Sequence, residues 1–206
     1  MLKTNVFILI ILITIPSCFA KDSKMEDAKK PIIQIILGST RQGRTSEKVY
    51  NALKGLIDKR TDVVLEKIDL KDFNLPFLDD AVSPSSRKEI TDPIIQKWSD
   101  KIKQADAYII LVPEYNSGYP GVLKNALDLL YKEWNNKPVA FIGFSGGPDG
   151  AANAIAQLRQ VARAFKMTPV EAEIKIPTSW KAFDEQGNLI NNVEADFNKI
   201  IDQLKR

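Results

Sequence analysis

Histidine is absent from the 206 residues, and cysteine occurs once, at Cys18. Without imidazole there is no Ser-His-Asp or Cys-His catalysis and no histidine zinc site. With its one cysteine so near the start, the rest of the chain has no disulfide, no thiol nucleophile and no cysteine metal site. A strong charge of one sign is missing too. The formal net charge is +3, removal of residues 1–20 takes away only Lys3 and leaves +2, and the basic residues are interspersed with acids. Such a mild surplus implies no nucleic-acid partner. Chemistry here falls to carboxylates, lysines, tyrosines or a bound cofactor.

The chain has no apolar run long enough for a comfortable membrane span. Val6 to Ile15 is the nearest, and it follows a positive Met1-Leu2-Lys3 and precedes Pro16-Ser17-Cys18-Phe19-Ala20. Residues 1–20 therefore read as a secretory signal. Two processing routes are open. Cleavage after Ala20 releases a periplasmic or secreted protein; alternatively, Ile15-Pro16-Ser17-Cys18 resembles a bacterial lipobox, and lipidation of Cys18 would tie the protein to a membrane. If the signal is not used, the protein is cytoplasmic. Residues 21–30 are polar and charged, as expected of a flexible tether, and residues 31–206 are sufficient for one domain with a sizeable core.

From Pro31 onward, apolar runs alternate with helix-period segments. Strands are expected at Ile32–Leu37, Val63–Leu70, Tyr108–Val112, Val139–Phe144 and Val170–Ile174, and helices at Thr45–Lys59, Ser86–Gln104, Val122–Tyr131, Gly150–Phe165 and near Val193–Leu204. Strict alternation means βαβ units and a parallel sheet covered on both faces. Right-handed crossovers make this a flavodoxin-like, doubly wound five-stranded α/β sheet of order 2-1-3-4-5. The partly alternating Val63–Leu70 suits an edge position. In such sheets ligands bind beyond the carboxyl ends of the strands at the switch point. Three loops then matter.

The first runs from Gly38 to Ser46, where a β-branched strand breaks off at a glycine and a helix follows. Backbone amides, the hydroxyls of Ser39, Thr40, Thr45 and Ser46, and a charge-assisted bond from Arg41 or Arg44 suit a phosphate. The same residues partly match a P-loop, Gly38-x-x-x-x-Gly43-Arg44-Thr45, and a P-loop-like nucleotide-binding protein is the rival reading. Arginine stands where that motif needs lysine, and no expected strand ends in an aspartate to hold magnesium.

The second loop is Pro113-Glu114-Tyr115-Asn116-Ser117-Gly118-Tyr119-Pro120-Gly121. Its prolines and glycines stiffen it, and its tyrosine and amide groups suit a planar heteroaromatic ring with imide edges. The third, Gly143 to Gly150, has four glycines that let a backbone approach a ring edge which becomes negative on reduction. Together the loops describe a ligand with a phosphate at one end and a planar, hydrogen-bonding ring at the other.

The motifs Gly38-Ser39-Thr40-Arg41-x-Gly43-Arg44-x-Ser46, Pro113-Glu114-Tyr115-Asn116-x-Gly118-x-Pro120-x-x-Leu123-Lys124-Asn125-Ala126-Leu127-Asp128 and Ser145-Gly146-Gly147-x-x-Gly150 resemble the NADPH-dependent FMN reductase family of flavin, azo, chromate and quinone reductases. The resemblance covers roughly Pro31 to Ile176. It implies that Ser39, Arg41, Thr45 and Ser46 hold the FMN phosphate. Pro113, Glu114, Tyr115, Asn116 and Gly118 would line the isoalloxazine and ribityl portion, and Ser145, Gly146 and Gly147 the ring's other edge. It implies an oxidoreductase that passes hydride from NADPH or NADH through FMN to a small acceptor (quinone, flavin, azo compound or metal oxyanion) by a ping-pong cycle. No catalytic side chain is assigned, since the cofactor carries the chemistry. The helix around Leu123–Leu130 would pack against a partner subunit, giving a homodimer or homotetramer; its spacing equally suits the core of one chain. A flavodoxin-type electron carrier, unable to oxidise NAD(P)H itself, is the alternative from another class. The segment after Pro177 matches no motif and reads as a surface hairpin and a closing helix.

Overall fold

The computed structural model describes residues 29–205. The expected signal, its Cys18 and most of the tether lie outside the described residues. Among these, five strands are linked by helices: β1 (Ile32–Leu37), α1 (Thr45–Lys59), β2 (Val64–Asp69), α2 (Pro93–Lys103), β3 (Ala107–Pro113), α3 (Gly121–Asp128), β4 (Pro138–Phe144), α4 (Ala152–Ala164), β5 (Thr168–Ile176) and α5 (Glu194–Leu204). The strands form one parallel sheet in the order β2-β1-β3-β4-β5, the flavodoxin-like order expected.

The middle of the sheet is dry because its side chains leave it no polar face. All of β3 is buried, and each fully buried Ile or Leu there contributes about 1.5–3 kcal/mol of transfer free energy. Strand alternation sends Tyr108, Ile110 and Val112 to one face, where they meet α2, α3 and α4 through Trp98, Leu123 and Leu158. Ala107, Ile109 and Leu111 go to the other, against α1 and α5 through Val49, Leu53, Phe197 and Ile200. The more polar β2 is indeed an edge strand.

Several boundaries differ from expectation, the fifth strand among them, which is longer at both ends. The second helix starts at Pro93, not Ser86. Proline disfavours helical backbone in the residue before it, and Asp92 caps the helix by accepting from the N–H groups of Ile94 and Ile95 at 2.7 and 3.0 Å. The fourth helix starts after Gly150 and Ala151, both at positive φ. The second strand ends at Asp69, so a strand does carry a carboxyl-terminal aspartate, contrary to the expectation that set the P-loop reading aside.

The third helix is short and ends at Asp128. Trp98 donates its indole N–H to the Ala126 carbonyl at 2.9 Å, and Trp134 donates to that of Leu127 at 3.0 Å. These two buried tryptophans satisfy carbonyls that helix ends leave orphaned. Leu123, Ala126, Leu127 and Leu130 are buried within the chain itself, so their spacing is already accounted for by its own core.

Candidate functional site

The loops after β1, β3 and β4 meet at the switch point around a cleft of about 190 Å³. Gly38 leaves β1 where a side chain has no room: a Cβ there would lie 2.8 Å from the Leu111 carbonyl oxygen. The chain then turns through Gly43, at φ +62°, into α1. Among the described residues no side chain caps α1, whose N-cap residue is Arg44. The first-turn N–H groups of that helix are left to face the cleft, and with them the positive end of the helix dipole.

The two arginines of this loop have separate jobs. Arg44 is buried, and donates from one Nη to the Ser39 carbonyl and to Asp69 Oδ1, both at 2.7 Å, while its other Nη meets Asp69 Oδ2. Burial alone would raise the Asp69 pKa, but the bonds from Arg44 and from the Lys71 N–H hold it below the ordinary carboxylate value. Arg44 is thus a brace for the loop, not the cation of a P-loop, and Asp69 is engaged by that brace. Arg41 is exposed, and its guanidinium has no hydrogen bond or ion pair among the described residues. Ser46 is fully buried on the cleft wall, with a hydroxyl that has no hydrogen-bond partner among the described residues. A buried, unpaired hydroxyl is costly unless a ligand completes it.

The second loop is tied to the first by a 2.7 Å hydrogen bond between the Ser39 and Tyr115 hydroxyls. Tyr115 to Gly118 form a tight reversal, with Asn116 and Ser117 at φ 50° and 63° and paired backbone bonds of 2.7 and 3.0 Å. Such paired positive angles favour asparagine. Glu114 lines the cleft, yet its carboxylate is committed: it accepts from the N–H groups of Asn153 and Ala154 at 3.0 and 3.1 Å, capping α4. Gln157 of α4 donates to the Ser117 carbonyl at 2.8 Å and fixes the far side of the turn.

In the third loop the four glycines divide into two pairs. At Gly143 a Cβ would lie 2.7 Å from both the Gly150 carbonyl and Ile155, and at Gly150 it would lie 2.8 Å from Lys175, so these two permit packing. Gly146 faces open space, where a ligand can approach the backbone, and a Cβ at Gly147 would meet only the Ser145 hydroxyl, at 3.8 Å. This loop is laced to the segment after β5. Ser179 N–H donates to the Ser145 carbonyl at 2.8 Å and Thr178 N–H to that of Gly147 at 2.9 Å.

Of the expected site residues, Ser39, Arg41, Thr45, Ser46, Pro113, Glu114, Tyr115, Ser145 and Gly146 line one cleft, whereas Asn116, Gly118 and Gly147 stand beside it. Sequence reasoning missed Ser179, which also lines the cleft. The segment holding it matches no motif, and no local pattern marks it. The hairpin does follow, bridged at Phe183 and Leu189.

A family model described as NADPH-dependent FMN reductase matches residues 31–181. The chain belongs to that family. The reductase is 31% identical over 179 residues to an NAD(P)H-dependent FMN reductase of Schizosaccharomyces pombe, covering 85% of this chain and 86% of the relative. It is 29% identical over 168 residues to a 2-hydroxy-1,4-benzoquinone reductase of a Burkholderia species, covering 77% and 85%. Among solved structures it is similar to FerB, a flavoenzyme NAD(P)H:(acceptor) oxidoreductase of Paracoccus denitrificans. That likeness has a TM-score of 0.68 and 27% identity, and covers 84% of this chain and 97% of the other.

The reductase uses FMN as its flavin and NAD(P)H as electron donor. Its residues fit that cofactor. The unpaired Ser46 hydroxyl, the uncapped start of α1 and the free guanidinium of Arg41 form a donor set for a dianion. The open face of Gly146 leaves space at the other wall for a flat ring.

Proposed function

We propose that NAD(P)H and a small electron acceptor use the same cleft in turn, in a ping-pong order. FMN, when bound, supplies the two-electron relay between them. In this reading Ser39, Arg41, Thr45 and Ser46 hold its phosphate. Pro113, Glu114, Tyr115, Asn116 and Gly118 border its ring and ribityl chain, the Glu114 side chain acting through α4, and Ser145, Gly146 and Gly147 border the opposite ring edge. The observation that carries the reading is the buried Ser46 hydroxyl, left without a partner beside an uncapped helix start.

Quinones are the acceptors proposed first, because a relative of similar length is named for reduction of a benzoquinone. Free flavin, azo compounds and metal oxyanions are the further candidates. The test is anaerobic stopped-flow of the FMN-loaded protein mixed with NADPH or NADH, then with a benzoquinone. Bleaching by the donor followed by recovery with the quinone supports the order. A flavin that stays oxidised on mixing with both donors rejects it.

A homodimer or homotetramer is also proposed. Phe77 is 83% exposed, and its neighbours are pinned to α3, where Asn125 donates to the Pro76 carbonyl at 2.7 Å and accepts from the Leu78 N–H at 3.0 Å. Leu78 and Val82 beyond it are exposed as well, and a segment that offers several apolar side chains to solvent favours a protein contact. Sedimentation velocity decides it, a monomer at all concentrations being the contrary result. Export through residues 1–20, with or without lipidation at Cys18, is read from sequence and tested by mass spectrometry of the mature N-terminus.

A further inference from the structure

A second groove, of about 630 Å³, opens beside the cleft and shares Thr45 and Ser179 with it. Thr45 belongs to the proposed phosphate site, and Ser179 is bonded to Ser145 on the facing wall. Anything bonded to that phosphate on its outer side would therefore pass between Thr45 and Ser179 into the groove. One wall is α1, which presents Thr45, Lys48 and Asn51 at a three-residue spacing. Lys48 is exposed and has no hydrogen bond or ion pair among the described residues. The opposite wall is the segment after β5.

That segment is held in an unusual shape. Thr178 adopts left-handed backbone at φ 46° and ψ 48°, a strained state for a β-branched residue. The turn that follows puts Ser179 in the cleft and Trp180 in the groove, with 69% of Trp180 exposed. Lys181 lies 4.5 Å from the Trp180 ring centroid. The hairpin beyond it is rigid. Asp184 accepts from the Asn188 backbone and side-chain amide at 2.8 and 3.1 Å, which occupies both of its oxygens. Glu185 is then the groove's uncommitted carboxylate.

The set is a cation one helical turn beyond the phosphate end, an exposed indole face, an amide and a carboxylate. Those are the groups that suit a second phosphate, a purine and a ribose diol. We propose that this groove seats the adenylate half of a flavin dinucleotide, so that the protein takes FAD as well as FMN. Lys48 meets the added phosphate, the adenine stacks on Trp180, and Glu185 accepts from the ribose hydroxyls. The inference rests on the phosphate placement proposed above. FAD is favoured over the nicotinamide dinucleotide as the source of the adenylate because the α1 wall of the groove, through Lys48 and Asn51, starts at Thr45 of the proposed phosphate site.

The test is calorimetric titration of the flavin-free protein with FMN and with FAD, for the wild type, Trp180→Ala and Lys48→Gln. Circular dichroism melts check that each variant is folded. The expected result is FAD bound at least as tightly as FMN. Each substitution should weaken FAD about tenfold and move FMN less than twofold. FAD bound far more weakly than FMN, or variants that weaken both flavins equally, would overturn the proposal. So would variants that leave both flavins alone and raise only the KM for NADH, which assigns the groove to the donor. If FMN itself fails to bind the wild type, the phosphate placement fails first, and that outcome is distinct from FMN binding without FAD.

Discussion

Arg44 and Asp69 close on each other at the end of the first and second strands, with 3% and 12% of their side chains exposed. The pair depends on sheet register: Leu37 of β1 lies opposite Asp69 of β2, so the loop leaving one strand passes over the last carboxylate of the other. Arg44 also holds the Ser39 carbonyl, and its Nε has no partner. Breaking a buried pair by removing one member leaves an uncompensated charge, at a cost of about 3–5 kcal/mol. Asp69→Ala is expected to lose stability of that order in urea unfolding. Replacing both residues by apolar ones of similar size is expected to lose less than either single change.

Arg41 should behave in the opposite way. Its guanidinium braces nothing among the described residues, so Arg41→Ala should leave the melting temperature within a degree or two. The same change should weaken FMN by about 1.5–3 kcal/mol, the worth of a hydrogen bond to a charged group. Fluorescence titration of the flavin-free variant measures it. An unchanged affinity would remove Arg41 from the phosphate site.

Tyr115→Phe removes the 2.7 Å tether to Ser39 while keeping the ring. A neutral hydrogen bond contributes about 0.5–1.5 kcal/mol. FMN affinity is therefore expected to fall by severalfold, through a looser approach of the first two loops, with little change in melting temperature.

The glycines of the third loop should separate by readout. Gly143→Ala places a methyl 2.7 Å from a carbonyl oxygen and from Ile155, and overpacking of that kind costs about 1–3 kcal/mol of stability. Gly146→Ala meets nothing within 4 Å, so its stability should be unchanged and its flavin affinity reduced. Thermal melts beside FMN titrations distinguish the two effects.

Acid should destabilise the protein through identifiable carboxylates. Burial would raise the pKa values of Asp69, Glu133 and Glu173, but hydrogen bonds from Arg44, Ser99 and Arg159 respectively lead the effects that hold each below its ordinary value. A depressed folded-state pKa contributes stability that is complete above the unfolded-state value near 4 and is lost as pH falls through the folded one. Urea midpoints should be flat in this respect above about pH 5 and fall below pH 4. In Glu133→Gln and Glu173→Gln that acid slope should be shallower.

The layered sheet was legible because its central strands are buried on both faces, and nearly continuous apolar runs such as Ile32–Leu37, interrupted only by Gln34, have few other uses. The cleft was legible for the same reason, since parallel order fixes which loops meet. What escaped local reading are partnerships between residues distant in the chain. Nothing near Arg44 announces Asp69, and nothing near Glu114 announces that it caps α4. Ser179 enters the cleft only because a strained Thr178 turns the chain back onto the third loop. The start of α2 is readable in principle, from an Asp-Pro pair that caps and opens a helix.

The central claim is that an anionic phosphate completes the Ser46 hydroxyl and the start of α1. The most direct measurement compares FMN with riboflavin, which lacks only the phosphate, on the flavin-free protein. Two or three charge-assisted bonds at about 1.5–3 kcal/mol each predict riboflavin binding weaker by a hundredfold or more, with the gap narrowed in Ser46→Ala. Equal affinities for FMN and riboflavin, or a gap that Ser46→Ala leaves untouched, would contradict the account.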